Sequence, residues 1–188
     1  MKRDSGKFRW AAITIAVAAV PIQVLAQTAR PEPARPAVSP YAPYEWLIGE
    51  WLTEPRAGPV QRIRQRFAWG PQRAYIMYTI SVVEGSKPEA LHLEGMMTWN
   101  PRTKVLDYVI AHDPGTFSEE TGTLALQADG SIVREVEGNR PDGSVEHYRQ
   151  TFIRSADGHV STRLMHLGKS GWEPNFPGSE DLSMARSS

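Results

Sequence analysis

The sequence predicts an all-β protein: an antiparallel, up-and-down β-barrel of about eight to ten strands, preceded by a signal-peptide helix and a proline-rich linker. Three observations predict it. Beyond Tyr44, apolar residues recur with a period of two, the signature of half-buried strands. Turn residues separate these runs at hairpin lengths. Nowhere is there a helical pattern long enough for a βαβ crossover, so neighbouring strands should run antiparallel.

The elements follow in order. Met1–Arg9 carries Lys2, Arg3, Lys7 and Arg9, and Trp10–Val20 is uncharged and apolar. Pro21 breaks the helix, and Val24-Leu25-Ala26 provides a small-residue cleavage site, so residues 1–26 form a three-part export signal. The apolar run is shorter than the ~20 residues of a membrane span. The expected location is therefore periplasmic or secreted, with no stable membrane span after cleavage. Residues 27–43 hold Pro31, Pro33, Pro36, Pro40 and Pro43, a density that suits an extended, disordered linker.

Residues 44–174 form the predicted barrel domain. Tyr44–Gly49 suits a short helical turn, and Glu50–Leu52 begins a strand. Val60–Trp69 alternates most cleanly: Ile63, Gln65, Phe67 and Trp69 share one face, and Arg62, Arg64 and Arg66 the other. Further strands are predicted at Ala74–Val83, Leu91–Trp99, Val105–His112, Thr121–Leu126, Ser131–Glu137, Val145–Arg154 and Val160–Leu167, with Trp172 a candidate for a last short one. Asn100–Thr103, Ala128-Asp129-Gly130, Asn139–Gly143 and Ala156-Asp157-Gly158 supply turns. Closure into a barrel removes exposed edges, whereas a β-sandwich would need longer crossing loops than these. Residues 175–188 read as a polar, flexible tail.

Composition narrows the function. The chain has 21 basic and 21 acidic residues; removing the leader leaves 17 and 20. A mildly acidic protein has no electrostatic footprint for nucleic acid. With no cysteine, disulfides, thiolate catalysis and zinc–cysteine or iron–sulfur sites are excluded. No cofactor motif is evident, and oligomeric state is not encoded in any recognisable pattern.

Certain segments carry a resemblance. Trp46-Leu47-Ile48-Gly49-Glu50-Trp51, a turn leading Gly-x-Trp into the first strand, resembles the opening of calycin-type barrels, the lipocalin, fatty-acid-binding and nitrobindin-like proteins. Trp99-Asn100-Pro101-Arg102-Thr103-Lys104 is similar to the Tyr-Asp-x-x-Thr-Lys hairpin of small bacterial calycin-like families of unknown function, with Trp and Asn in place of Tyr and Asp. Gly171-Trp172-Glu173 is similar to their closing strand. The resemblance implies a calycin-like barrel with a pocket for a small, largely apolar molecule. The nitrobindin-like branch would add haem through a histidine, but no matching motif is present.

The residues themselves offer candidates rather than a catalytic set. Phe67, Trp69, Tyr78, Met97, Trp99 and Tyr108 occupy strand positions that either fill a barrel lumen or line a pocket. His112 is in phase with Leu106, Tyr108 and Ile110. His166 shares a face with Leu164, and Arg149 with His147; an inward arginine would suit a carboxylate. These nine residues are the expected pocket lining. His92 is out of phase with Leu91 and Leu93 and should face the other way. Five histidines form no His-Glu-x-x-His spacing, so no metal site is expected. His112-Asp113 with Ser118 makes a poor triad, because adjacent strand residues diverge. Glu119-Glu120 reads as a solvated loop pair. A ligand-binding barrel is the leading expectation, ahead of a barrel-based isomerase or hydrolase and an envelope scaffold.

Overall fold

Alternation of apolar and polar residues turns into an almost helix-free structure. The computed structural model describes residues 39–55, 60–112, 116–117 and 119–187. The expected export signal and most of the expected linker lie outside the described residues. A 3-10 turn, Ala42–Leu47, precedes strands β1 (Gly49–Thr53), β2 (Val60–Trp69), β3 (Ile76–Glu84), β4 (Ala90–Asn100), β5 (Val105–His112), β6 (Glu119–Leu126), β7 (Ile132–Asn139), β8 (Val145–Arg154), β9 (Val160–Gly168), β10 (Gly171–Pro174) and β11 (Leu182–Arg186).

All pairings are antiparallel, and β1 to β9 meander with each strand beside the next. The barrel closes because β11 lies between β9 and β1. Ten strands go round it, and β10 adds to the distal half of β9, where Trp172 faces Leu167. The all-β, antiparallel, closed architecture is as expected.

The tail differs from expectation. Residues 182–186 are the strand that seals the barrel, with Leu182 and Met184 buried and Ser183 exposed. Two buried apolar side chains separated by one residue are too short a pattern to stand out beside Gly178, Ser179 and Ser187; the unpaired edges of β1 and β9 give them a place. At the other boundary, Tyr41 is buried although it sits within the proline-rich stretch.

Three hairpins share one device. In the turns at Asp129-Gly130, Asp142-Gly143 and Asp157-Gly158, the glycine takes a φ of 84°, 83° and 87°. Each Asp carboxylate accepts a hydrogen bond from the backbone N–H two residues on, at Ser131, Ser144 and His159. Glycine occupies that left-handed conformation without steric penalty, and the Asp satisfies a backbone group the ladder leaves unpaired.

Inside, the lumen is filled from one end. Leu47, Phe67, Ile76, Met97, Leu106, Leu124, Ile132, Phe152 and Val160 are all buried. Tyr44 enters from the 3-10 turn and donates to the Leu124 carbonyl at 3.2 Å. Tyr41 Oη donates to the Ala74 carbonyl at 2.6 Å and accepts from Trp99 N at 2.9 Å, fastening the turn as a plug.

Candidate functional site

The other end of the lumen holds a cavity of about 280 Å³. Its walls are apolar at Ile63, Ile80, Leu93, Phe117, Leu164 and Leu182, and polar at Gln65, His112, Glu120, Arg134 and Gln150. Exposed Glu84 and Asn175 and half-buried Arg140 and Tyr148 stand at its rim.

The polar residues come from the same alternation that builds the core. On β7, Arg134 is in phase with Ile132 and Val136; on β2, Gln65 with Ile63 and Phe67; on β8, Gln150 with Phe152; on β6, Glu120 with Leu124. Each strand therefore delivers one polar side chain inward. Arg134 and Glu120 are 4% and 3% exposed, and His112 is 4% exposed.

Arg134 stands at the centre. Its Nη1 donates to Tyr108 Oη at 2.8 Å and Tyr78 Oη at 3.4 Å, and its Nη2 lies 3.7 Å from Glu120 Oε1. The guanidinium also covers the faces of both tyrosine rings, at 5.5 and 5.2 Å from their centroids. Tyr108 Oη donates to Glu120 Oε1 at 3.4 Å, and His112 Nε2 hydrogen-bonds Glu120 Oε2. In the other direction, Tyr78 Oη donates to Gln65 Oε1 at 3.0 Å. Gln150 Nε2 reaches Gln65 Oε1 at 3.5 Å and Thr162 Oγ1 at 3.0 Å.

Glycine lets two of these strands approach closely. Gly122 pairs with Tyr108 on one side and Val136 on the other. A Cβ there would fall 2.0 Å from the Glu135 carbonyl oxygen and 2.7 Å from Val136 Cα, so no larger residue fits without moving backbone.

Electrostatics fix the protonation of the cluster. Burial acts to raise the Glu120 pKa, but the Arg134 charge and the hydrogen bonds from His112 and Tyr108 outweigh it and hold the carboxyl below its ordinary value. Burial drives the Tyr78 and Tyr108 hydroxyls well above theirs, against the opposing pull of Arg134. The cluster is thus a carboxylate and a guanidinium joined through two neutral phenols.

Three buried atoms of the lining have no hydrogen-bond partner among the described residues: His112 Nδ1, Arg134 Nε and Gln150 Oε1. At the rim, Arg140 Nε donates to Glu146 Oε1 at 2.5 Å, and Tyr148 Oη donates to Glu146 Oε2. Phe117 bridges rim and interior, with its ring centroid 4.9 Å from that of His112 and 5.0 Å from the Arg140 guanidinium.

The structure distributes the nine sequence candidates widely. Tyr78, Tyr108 and His112 meet in the polar cluster, and of the nine His112 is the one that lines the cavity. Phe67 and Met97 are buried in the filled half. Trp69 and Trp99 are half-buried beside Tyr41. His166 sits toward the rim of β9, with Nε2 3.9 Å from Glu173 Oε2. Arg149 is on the outer face of β8, paired with Glu135 and stacked 4.3 Å from the Trp172 ring.

Two expectations are corrected. Glu120 is a buried strand residue, not part of a solvated loop: β6 begins at Glu119, and alternation turns Glu120 inward beside Ile110. His92 lines the cavity although Leu93 is also inward, while Leu91 is 54% exposed. The cause is a β-bulge: Ile80 pairs with Leu93 and Ser81 with Leu91, so His92 is an extra residue and the alternation slips. The suggested partner Asp113 and serine Ser118 lie outside the described residues; the carboxylate beside His112 is Glu120.

Arg134, Gln65 and Gln150 escaped as site residues, although each stands as a polar residue in the apolar phase of its strand. Among the described residues, no three His, Cys, Asp or Glu side chains gather as a metal ion would need. No protein-family model and no curated protein matches the chain. What the geometry defines is a small closed antiparallel barrel with one filled end and one hollow end. That form is consistent with a calycin-like barrel.

Proposed function

We propose that this chain is an exported, calycin-like binding protein that holds a small amphipathic molecule in its lumen. The observation that carries this reading is the cavity itself: an apolar wall surrounds three buried polar atoms that the protein leaves unpaired. Leaving a buried polar atom unpaired costs ~1–3 kcal/mol, so a ligand that serves these atoms gains affinity the free protein lacks. The apolar body would rest on Ile63, Ile80, Leu93 and Leu164, and each Å² removed from water contributes ~25 cal/mol before association costs. At about 280 Å³ the cavity is at the small end of ligand pockets, so the ligand is small. The export signal supports work outside the cytoplasm, and the mildly acidic mature chain supports a partner other than nucleic acid.

Native mass spectrometry of protein purified from its own host tests the reading. The expected result is a co-purifying small molecule lost in an Ile80→Trp variant, which fills the cavity. Failure to retain or take up any small apolar molecule, including an environment-sensitive dye, would overturn it.

One arrangement favours a second reading, catalysis on the same ligand. Glu120 orients His112 within the cavity wall, the relation a general base needs. Incubating captured ligand with the protein separates the two: an isomerised or cleaved product that His112→Gln abolishes supports catalysis, and an unchanged molecule supports binding alone.

A further inference from the structure

The polar cluster also dictates what kind of head group the cavity accepts. Arginine is a donor only. Because Arg134 donates to Tyr78 Oη, that hydroxyl must spend its own hydrogen on Gln65 Oε1. Gln65 Oε1 is then an acceptor, so Gln150 must present its amide nitrogen there and to Thr162, leaving Gln150 Oε1 as the unpaired atom. In the other direction, Arg134 donates to Tyr108 Oη, whose hydrogen goes to the Glu120 carboxylate. That carboxylate is also an acceptor, so His112 Nε2 supplies a hydrogen, and in the neutral tautomer of the ring this places the lone pair at Nδ1. A single buried guanidinium thus orients two hydrogen-bond chains, and each ends in an acceptor. The remaining unpaired atom, Arg134 Nε, is a donor.

Charge points the same way. The lumen already holds a carboxylate, Glu120, as counter-ion to Arg134. A second carboxylate would meet that charge and two acceptor lone pairs on side chains that are themselves buried.

Resting on the lumen-binding reading, we infer that the ligand's polar end is uncharged and donor-bearing, a primary amide or an alcohol, and that the site discriminates against carboxylates. The test compares octanamide, octanol and octanoate by isothermal titration calorimetry at about pH 8, where an ordinary imidazole is neutral. Octanamide and octanol should bind at least about tenfold more tightly than octanoate. Octanoate, where it binds, should take up one proton, read from the dependence of its binding heat on buffer ionisation enthalpy. In Glu120→Gln, which removes the internal counter-ion, the preference should move toward octanoate by about tenfold or more. Should that variant fail to fold, the wild-type proton uptake decides alone. Tighter binding of octanoate than of octanamide without proton uptake would overturn the inference while leaving lumen binding intact. Binding of none of the three, together with failure to take up the apolar dye, would remove both.

Discussion

The two ends of the lumen are built by the same strands and the same alternation, yet they solve opposite problems. At the plugged end, inward side chains are apolar and large, and the 3-10 turn presses Tyr41, Tyr44 and Leu47 onto them. Polar atoms there are few and satisfied by backbone, as with Tyr44 on Leu124 and Tyr41 on Ala74. At the hollow end the same phase carries Gln65, Glu120, Arg134 and Gln150, and space remains between them. The plugged end needs only apolar volume to be stable, whereas the hollow end depends on each charge keeping its partner. Apolar packing holds one half of the barrel and paired buried charges hold the other.

The comparison can be broken most forcefully at Arg134. Arg134→Met leaves Glu120 buried without its cation, and loss of one partner of a buried pair costs ~3–5 kcal/mol. Urea denaturation should show that loss, and Glu120→Gln in the same chain should recover part of it. If the single variant is as stable as wild type, the cluster is not structurally coupled.

Leu106→Ala at the plugged end should cost ~2–5 kcal/mol by opening a void among buried neighbours. Its relative affinities for different ligands should stay as in wild type, because no cavity-lining side chain is altered. A changed amide-to-carboxylate ratio in this variant would show that the two ends are not independent.

Tyr41→Phe should cost ~1–3 kcal/mol, since the Ala74 carbonyl loses a donor and Trp99 N an acceptor. Thermal unfolding measures it, and an unchanged midpoint would mean the plug is held by apolar packing alone.

The hollow end should also reveal itself in alkali. Tyr78 and Tyr108 have folded pKa values raised above the ordinary 10.0. The stability linked to them is fully present below pH 10.0 and is lost as pH rises beyond it toward the folded values. Absorbance of the phenolate should therefore rise in two stages: a small early one, then Tyr78 and Tyr108 together with unfolding, joined by Tyr44 and Tyr148, whose hydroxyls are also raised by burial. A single smooth titration with the fold intact would contradict the burial of these hydroxyls.

The smallest effect belongs to the rim. Arg140→Gln breaks a solvent-screened ion pair with Glu146, the kind that contributes little to stability. Denaturation should scarcely change, and a loss larger than that from Tyr41→Phe would mean the rim bears on the core.

Much of the fold was legible in residue order. The alternation of Ile63, Gln65, Phe67 and Trp69 against three arginines identifies both a strand and its buried face. The Asp-Gly turns identify hairpins, because few other dipeptides satisfy a left-handed backbone and an unpaired N–H together. The site was legible only in fragments. His112, Tyr78 and Tyr108 lie in apolar phase and could be singled out, but their partners Glu120 and Arg134 lie 8 residues or more away from His112 along the chain. Glu120 was obscured because its strand begins at another charged residue, Glu119, where local polarity suggests a loop.

Sequence by itself determined the period, the turns, the absence of cysteine chemistry and hence a barrel that stands on its core. These are local properties, carried by residues one or two apart. Tertiary structure alone decided that Leu182–Arg186 closes the barrel, that a bulge turns His92 toward the cavity, and that Arg134 meets Glu120 and two tyrosines. Those outcomes depend on strand register around a closed sheet, where a shift of one residue exchanges inside for outside. Register is set by all ten strands together, so no single segment could announce it.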